Sequence, residues 1–324
     1  MSDAATVDSK SQKKLDTLVS RLVTGMMLGI AVIAAFLFYF DISDIYNVLG
    51  TIPTSVYVLA IACTLSSYLI RFLKWHWMLK RLEIELSWKE SFYIFFIGLS
   101  MSITPGKAGE LLKAFLIKKK TNVDMSRSAS AVFVDRLTDM FSMLILIAFG
   151  ISLFPLGRIL FFVFLVAFAG ITIILRSRKL AMKSIDLITK VKFLQKHRET
   201  LVTFYDNIFE LLKFRLFLPI VLVSALAWFM ECVSMYLFAD ALKLDLTFVQ
   251  DIFVFSAGTL LGAISFLPGG LGIAEGSIQG MLTQVFHVPV APAASLTLLI
   301  RVVTLWLGVF IGLAVFLRKK KEYL

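Results

Sequence analysis

Apolar residues run along this chain in long blocks, parted by short basic stretches. Leu22–Phe40 carries no charge, and further blocks fall at 56–73, 128–154, 157–175, 216–239 and 292–317. A helix needs about 20 apolar residues to cross the hydrocarbon core, so each block predicts a spanning helix. Two more apolar stretches are interrupted. The stretch 91–118 breaks at Thr104-Pro105-Gly106-Lys107-Ala108-Gly109, and 248–286 breaks at Pro268-Gly269-Gly270-Leu271-Gly272. The halves of the first are only about 10–14 residues long, too short to cross alone. Both stretches therefore predict helical hairpins that enter the bilayer and leave on the same side. The fold expected is an all-α polytopic membrane protein with six spanning helices and two re-entrant hairpins.

Composition supports this class. Of 324 residues, 59% are hydrophobic and 17% charged, against about 45–50% and about 25% in soluble domains. A soluble enzyme, a disordered chain and a small disulfide scaffold are excluded. Two cysteines and three histidines are scattered, so no metal or cofactor is expected. The net charge of +11 follows membrane sidedness better than nucleic-acid binding. With the N-terminus, 74–90, 118–127, 176–215 and the C-terminal tail placed inside, 26 Lys/Arg lie inside and two, Arg158 and Lys243, lie outside. That is a strong positive-inside bias. It predicts cytoplasmic termini in the inner membrane, a first hairpin opening inward and a second opening outward. The basic stretch 176–215 is expected as a solvated face near anionic lipid.

The two interrupted stretches resemble each other. Leu82-Glu83-Ile84-Glu85-Leu86-Ser87-Trp88 corresponds to Leu242-Lys243-Leu244-Asp245-Leu246-Thr247-Phe248, and Gly98 to Gly258. Both breaks read S-x-x-P-G-x-x-G, from Ser102 to Gly109 and from Ser265 to Gly272. Glu110 precedes Arg136 by 26 residues, and Glu275 precedes Arg301 by the same interval. Each unit is span, broken hairpin, span: about 55–154 and about 216–317 of a single membrane domain, with a linker helix and loop at 157–215. By the charge count the units have opposite orientation, an architecture of transporters with the site at the repeat interface. The alternative is chance similarity between Gly/Pro-rich apolar segments.

Ionisable groups inside a membrane are costly and mark functional sites by default. Five bases (Arg71, Lys107, Lys113, Arg136, Arg301) and five acids (Glu110, Asp135, Asp139, Glu231, Glu275) fall in apolar stretches. Lys107, Arg136 and Arg301 are candidates to attract a phosphate. Glu110 and Glu275 are candidates to hold those bases or an amine, and Asp135 or Asp139 to accept a proton. Buried ion pairs that fix helix register are the alternative, foremost for Asp135, Asp139 and Glu231. Arg71, near a span end, is expected to snorkel. The tips, with Pro105, Gly106, Gly109, Pro268, Gly269 and Gly272, unwind backbone at a depth where only protein or a wet cavity can satisfy it. Helix N-termini after Gly109 and Gly272 would turn N–H groups toward an anion. Alternatively, the glycines serve close helix packing.

Thr104-Pro105-Gly106-Lys107-Ala108-Gly109-Glu110, Asp135-Arg136-Leu137-Thr138-Asp139 and Leu267-Pro268-Gly269-Gly270-Leu271-Gly272 with Glu275 resemble the flippase-like domain family. That domain forms the membrane flippase half of lysylphosphatidylglycerol synthases, the multiple peptide resistance factors. The resemblance spans about residues 20–318. It implies translocation between leaflets of a phosphate-headgroup lipid, such as aminoacylated phosphatidylglycerol or an isoprenoid-linked glycolipid. The longest soluble stretch, 176–215, is too short for an aminoacyl-transferase core, so translocation and not an enzymatic lysyl transfer is expected. Two rivals remain at this level: a membrane-embedded transferase acting on a lipid phosphate, and a subunit that docks a separate lipid-modifying synthase. A homo-oligomer is also open.

Overall fold

The computed structural model describes residues 24, 27, 30, 31, 34, 42–104, 109–151 and 155–323. The expected span Leu22–Phe40 lies outside them apart from isolated positions, as do Pro105, Gly106, Lys107 and Ala108 of the first tip. Every regular element among the described residues is helical. After a short α1 (Ile42–Gly50), the first unit comprises α2 (Thr54–Arg81), α3 (Trp88–Ser100), α4 (Leu111–Thr121) and α5 (Met125–Gly150). A connecting region follows: α6 (Pro155–Arg176), α7 (Arg178–Ile188), α8 (Lys192–Gln195) and α9 (Arg198–Leu211). The second unit comprises α10 (Phe214–Ala241), α11 (Phe248–Ile264), α12 (Ile273–Gly280), α13 (Val290–Arg301) and α14 (Leu307–Tyr323). A π-helical turn, Val302–Trp306, joins the last two.

Among the described residues, three helices are long and apolar enough to cross a bilayer: Thr54–Arg81, Phe214–Ala241 and the continuous Val290–Lys319. Residues 161–188, bent by 93° between α6 and α7, make a fourth candidate. The expected span 128–154 corresponds to α5, which is 26 residues long. It carries three charged residues, Asp135, Arg136 and Asp139, within its apolar stretch. The region 176–215 is less solvated than expected, because Tyr205, Ile208, Leu211 and Leu212 are buried there.

The same local chemistry recurs in both units. Both α2 and α10 have 28 residues. α2 ends in a Schellman arrangement: Glu83 adopts φ 54°, its N–H donates to the Lys80 carbonyl, and the Ile84 N–H donates to Leu79. α10 ends identically, with Lys243 at φ 53° and bonds from Lys243 to Asp240 and from Leu244 to Ala239. These bonds satisfy carbonyls that a helix end otherwise leaves orphaned. Ser87 then caps α3 and Thr247 caps α11, each accepting the N–H three residues on.

α2 and α10 pack together antiparallel. Thr64 meets Ser234, Ser67 meets Glu231 and Lys74 meets Ser224, so contacts retreat along α10 as they advance along α2. The hairpins are exchanged between units. α3 packs on α14, where a Cβ on Gly312 would lie 2.5 Å from the Phe96 carbonyl oxygen. α11 packs on α5, where a Cβ on Gly150 would lie 2.5 Å from that of Phe253. The tips meet each other: Gly269 lies against Ile103.

Candidate functional site

The site is built from four helices that each turn charged or hydrogen-bonding side chains inward. On α2, Tyr68, Arg71 and Lys74 follow at three-residue steps and share one face. α5 supplies Asp135, Arg136 and Asp139, the first turn of the second hairpin limb brings Glu110 and Lys113, and α10 adds Ser224, Trp228 and Glu231.

Lys74 is the centre of the larger cluster. Its Nζ lies 2.7 Å from Asp135 Oδ1 and 2.9 Å from Asp139 Oδ1, and donates to Ser224 Oγ at 2.6 Å. Its side chain has no exposed surface. Arg136 bridges Asp135 at 2.6 Å, Asp139 at 3.1 Å and Glu110 at 3.4 Å. Lys113 lies 3.5 Å from Glu110 and 4.3 Å from the Trp75 ring centre. Arg71 stands 3.7 Å from both Asp139 and Glu231 and stacks over Trp228 at 4.8 Å. Four bases thus face four acids. Desolvation costs several kcal/mol per ion, and only such mutual neutralisation makes eight buried charges tolerable.

The second cluster closes the other tip. Arg301 Nε donates to Glu275 Oε1 at 2.6 Å, and its Nη2 donates to the Gly269 carbonyl at 2.7 Å. The other Glu275 oxygen accepts the Gly272 N–H at 2.7 Å. Gly269, Gly270 and Gly272 all have positive φ. A Cβ on Gly270 would also lie 2.9 Å from the Gly262 backbone, so the turn admits only glycine there.

Two cavities adjoin these clusters. A polar chamber of about 60 Å³ is walled by Tyr68, Arg71, Trp228, Glu231, Gly269 and Arg301, among others. A larger cavity of about 430 Å³ has mostly apolar walls, including Val132, Phe133, Met140, Met143 and Leu260, with Arg136 and Asp139 in its lining. Trp228, Thr259, Gly262, Ala263 and Gly270 line both. An amphiphile with a small charged head is the chemistry that such a pair of spaces accommodates.

Of the residues singled out from the sequence, Glu110, Asp135, Arg136 and Asp139 come together in the first cluster and Glu275 and Arg301 in the second. Lys107 lies outside the described residues. Two expectations change. Arg71 does not snorkel: it is 8% exposed and held between Asp139 and Glu231, because α10 covers the side of α2 from which it would escape. Lys74 is not in a cytoplasmic loop, since α2 continues to Arg81. The apolar Trp75-His76-Trp77-Met78-Leu79 after it was the signal that could have shown this. At the breaks themselves, two glycine N–H groups have partners within the chain. Gly109 donates to Thr104 Oγ1 at 2.9 Å and Gly272 to its own Glu275.

The helices and buried charges define an all-helical integral membrane protein. The chain belongs to the family described as the lysylphosphatidylglycerol synthase TM region, whose model matches residues 26–312. It is similar to a UPF0104 membrane protein of Methanothermobacter thermautotrophicus, 25% identical over 88% of this chain and 90% of the relative. A UPF0104 membrane protein of Pyrococcus horikoshii is 24% identical over 91% of this chain and 96% of the relative. One of Methanocaldococcus jannaschii is 25% identical over 66% of this chain and 92% of the relative.

Proposed function

We propose that this protein moves a phosphate-headgroup lipid between the leaflets of the cytoplasmic membrane, with aminoacylated phosphatidylglycerol and isoprenoid-linked glycolipids as the substrate classes. The observation that carries the reading is the pair of adjoining spaces: a mostly apolar cavity of about 430 Å³ that reaches Arg136 and Asp139, and a polar chamber sharing its wall. The headgroup sits among the charges while its chains remain in apolar surroundings. The family's name supports a lipid-related role. Antiparallel packing of α2 on α10, the exchanged hairpins and the positive-inside bias support two units of opposite orientation, with cytoplasmic termini. Rocking of one unit against the other alternates access. The basic α7–α9 region rests on anionic lipid. In this reading no bond of the lipid is made or broken.

The test uses the full chain in proteoliposomes with a headgroup-labelled phospholipid, an impermeant reductant added outside destroying label only as it reaches the outer leaflet. Glu110→Gln and Glu275→Gln, shown folded by gel filtration, are expected to slow transport at least about ten-fold, each having lost a charge-assisted bond. Full transport by both variants overturns the site. Recovery of chemically altered lipid would favour the transferase. A docking subunit would keep its function with Arg136→Ala and Arg301→Ala.

A further inference from the structure

Lys74, Lys113 and Arg136 of the first cluster are occupied by its carboxylates, so they offer an arriving anion little. The chamber beside the cluster differs. Arg71 Nε and Trp228 Nε1 are buried N–H donors with no acceptor, in residues 8% and 7% exposed, and both residues line this chamber. Leaving a buried donor unmatched costs about 1–3 kcal/mol, so a pair on one cavity marks a place for a ligand's oxygens. The two ion pairs of Arg71, each at 3.7 Å, are longer than direct hydrogen bonds. Arg301 stands in the same lining, held from behind by Glu275 and the Gly269 carbonyl, and the carboxylate in that lining, Glu231, is already engaged by Ser67 Oγ at 2.8 Å. A water needs about 10–15 Å³ measured this way. The chamber's roughly 60 Å³ therefore holds about four waters, or one tetrahedral oxyanion.

We infer that this chamber is a phosphate-oxyanion site in which Arg71 and the Trp228 indole N–H donate to the phosphate oxygens opposite Arg301. The inference deepens the translocation reading: it moves the phosphate from Arg136 to the space between the two units and makes Trp228, common to both cavities, the wall between head and chains. Tyr68 fixes the far side, its hydroxyl donating to the Thr304 carbonyl at 2.7 Å.

Calorimetry on the detergent-solubilised full chain tests it with two probes, inorganic phosphate and dihexanoyl phosphatidic acid. Trp228→Phe keeps an aromatic ring and removes the donor; Arg71→Gln removes the charge; Lys89→Gln, exposed at the start of α3, is the control. Each of the first two is expected to weaken binding about ten-fold or more, as loss of a bond to a charged group does, with the control unchanged. Tighter binding of the lipid than of the ion identifies a headgroup ligand. Equal binding, weakened by the same variants, keeps the site and makes its ligand a free phosphate. Should Arg71→Gln fail to fold, Trp228→Phe decides alone. Wild-type affinity in Trp228→Phe, or no binding of either probe, overturns the site. Liposome transport separates the two claims: transport that continues without binding removes this site only, whereas binding without transport removes the translocation reading only.

Discussion

Lys74 shows how little a residue's identity says about its role before its neighbours are placed. Standing where the apolar run of α2 gives way to polar residues, it reads as a loop lysine. The packing of α5 and α10 around it makes it the counter-ion of both Asp135 and Asp139. Removing one member of a buried charge cluster costs about 3–5 kcal/mol. Lys74→Met is expected to lower stability by that amount in chemical unfolding of detergent-solubilised protein, while the exposed Lys183→Ala stays within about 0.5 kcal/mol. Arg301 invites a sharper test. Exchanging Glu275 and Arg301 preserves the pair's charge but not the bonds to Gly269 and Gly272, so the exchange is expected to restore part of the stability lost by either single reversal. Glu110, Asp135, Arg136, Asp139, Glu275 and Arg301 were conspicuous in the sequence because a charge inside an apolar block is costly wherever the block goes. Arg71 stands out in the same way but reads as snorkelling, and Lys74 reads as a loop residue, because whether a base near a block's end reaches water depends on which helix covers it.

At the scale of elements, small residues set how closely the exchanged hairpins approach. Gly312 and Gly150 each receive a half-helix of the other unit at a distance that leaves no room for a side chain. Gly312→Leu is expected to destabilise by about 1–3 kcal/mol or more through overpacking, read as a lower melting temperature in detergent. Gly170, in α6, has nothing within 4 Å of an added Cβ. Gly170→Ala is expected to be neutral or to stabilise by up to about 1 kcal/mol, since alanine is the better helix former. The helix breaks were legible because Pro and Gly clusters interrupt any apolar helix, and the ends of α3 and α11 fall within a few residues of them. The caps at Ser87 and Thr247 follow from their hydroxyls. The turns through Glu83 and Lys243 carried no such mark, since neither residue favours the left-handed region.

At the scale of the molecule, the proposed opposite orientation of the units makes a direct prediction. With Cys63→Ser and Cys232→Ala as background, Lys120→Cys at the end of α4 is expected to react with a membrane-impermeant maleimide from the cytoplasmic side alone. His287→Cys, after the second hairpin, is expected to react from the opposite side alone. Labelling of both from one compartment would refute that topology. The sequence by itself determined the membrane class, the broken hairpins and the positions of most buried charges. Each of these follows from local composition and the cost of polar groups in hydrocarbon, which hold whatever the chain's path. Only the tertiary structure decided that α2 lies against α10, that each hairpin leans on the other unit's last helix, and that Lys74, Arg71 and Trp228 belong to the site. Those outcomes depend on contacts between residues some 60 to 220 positions apart, and hydrophobic periodicity carries no information about which buried face meets which.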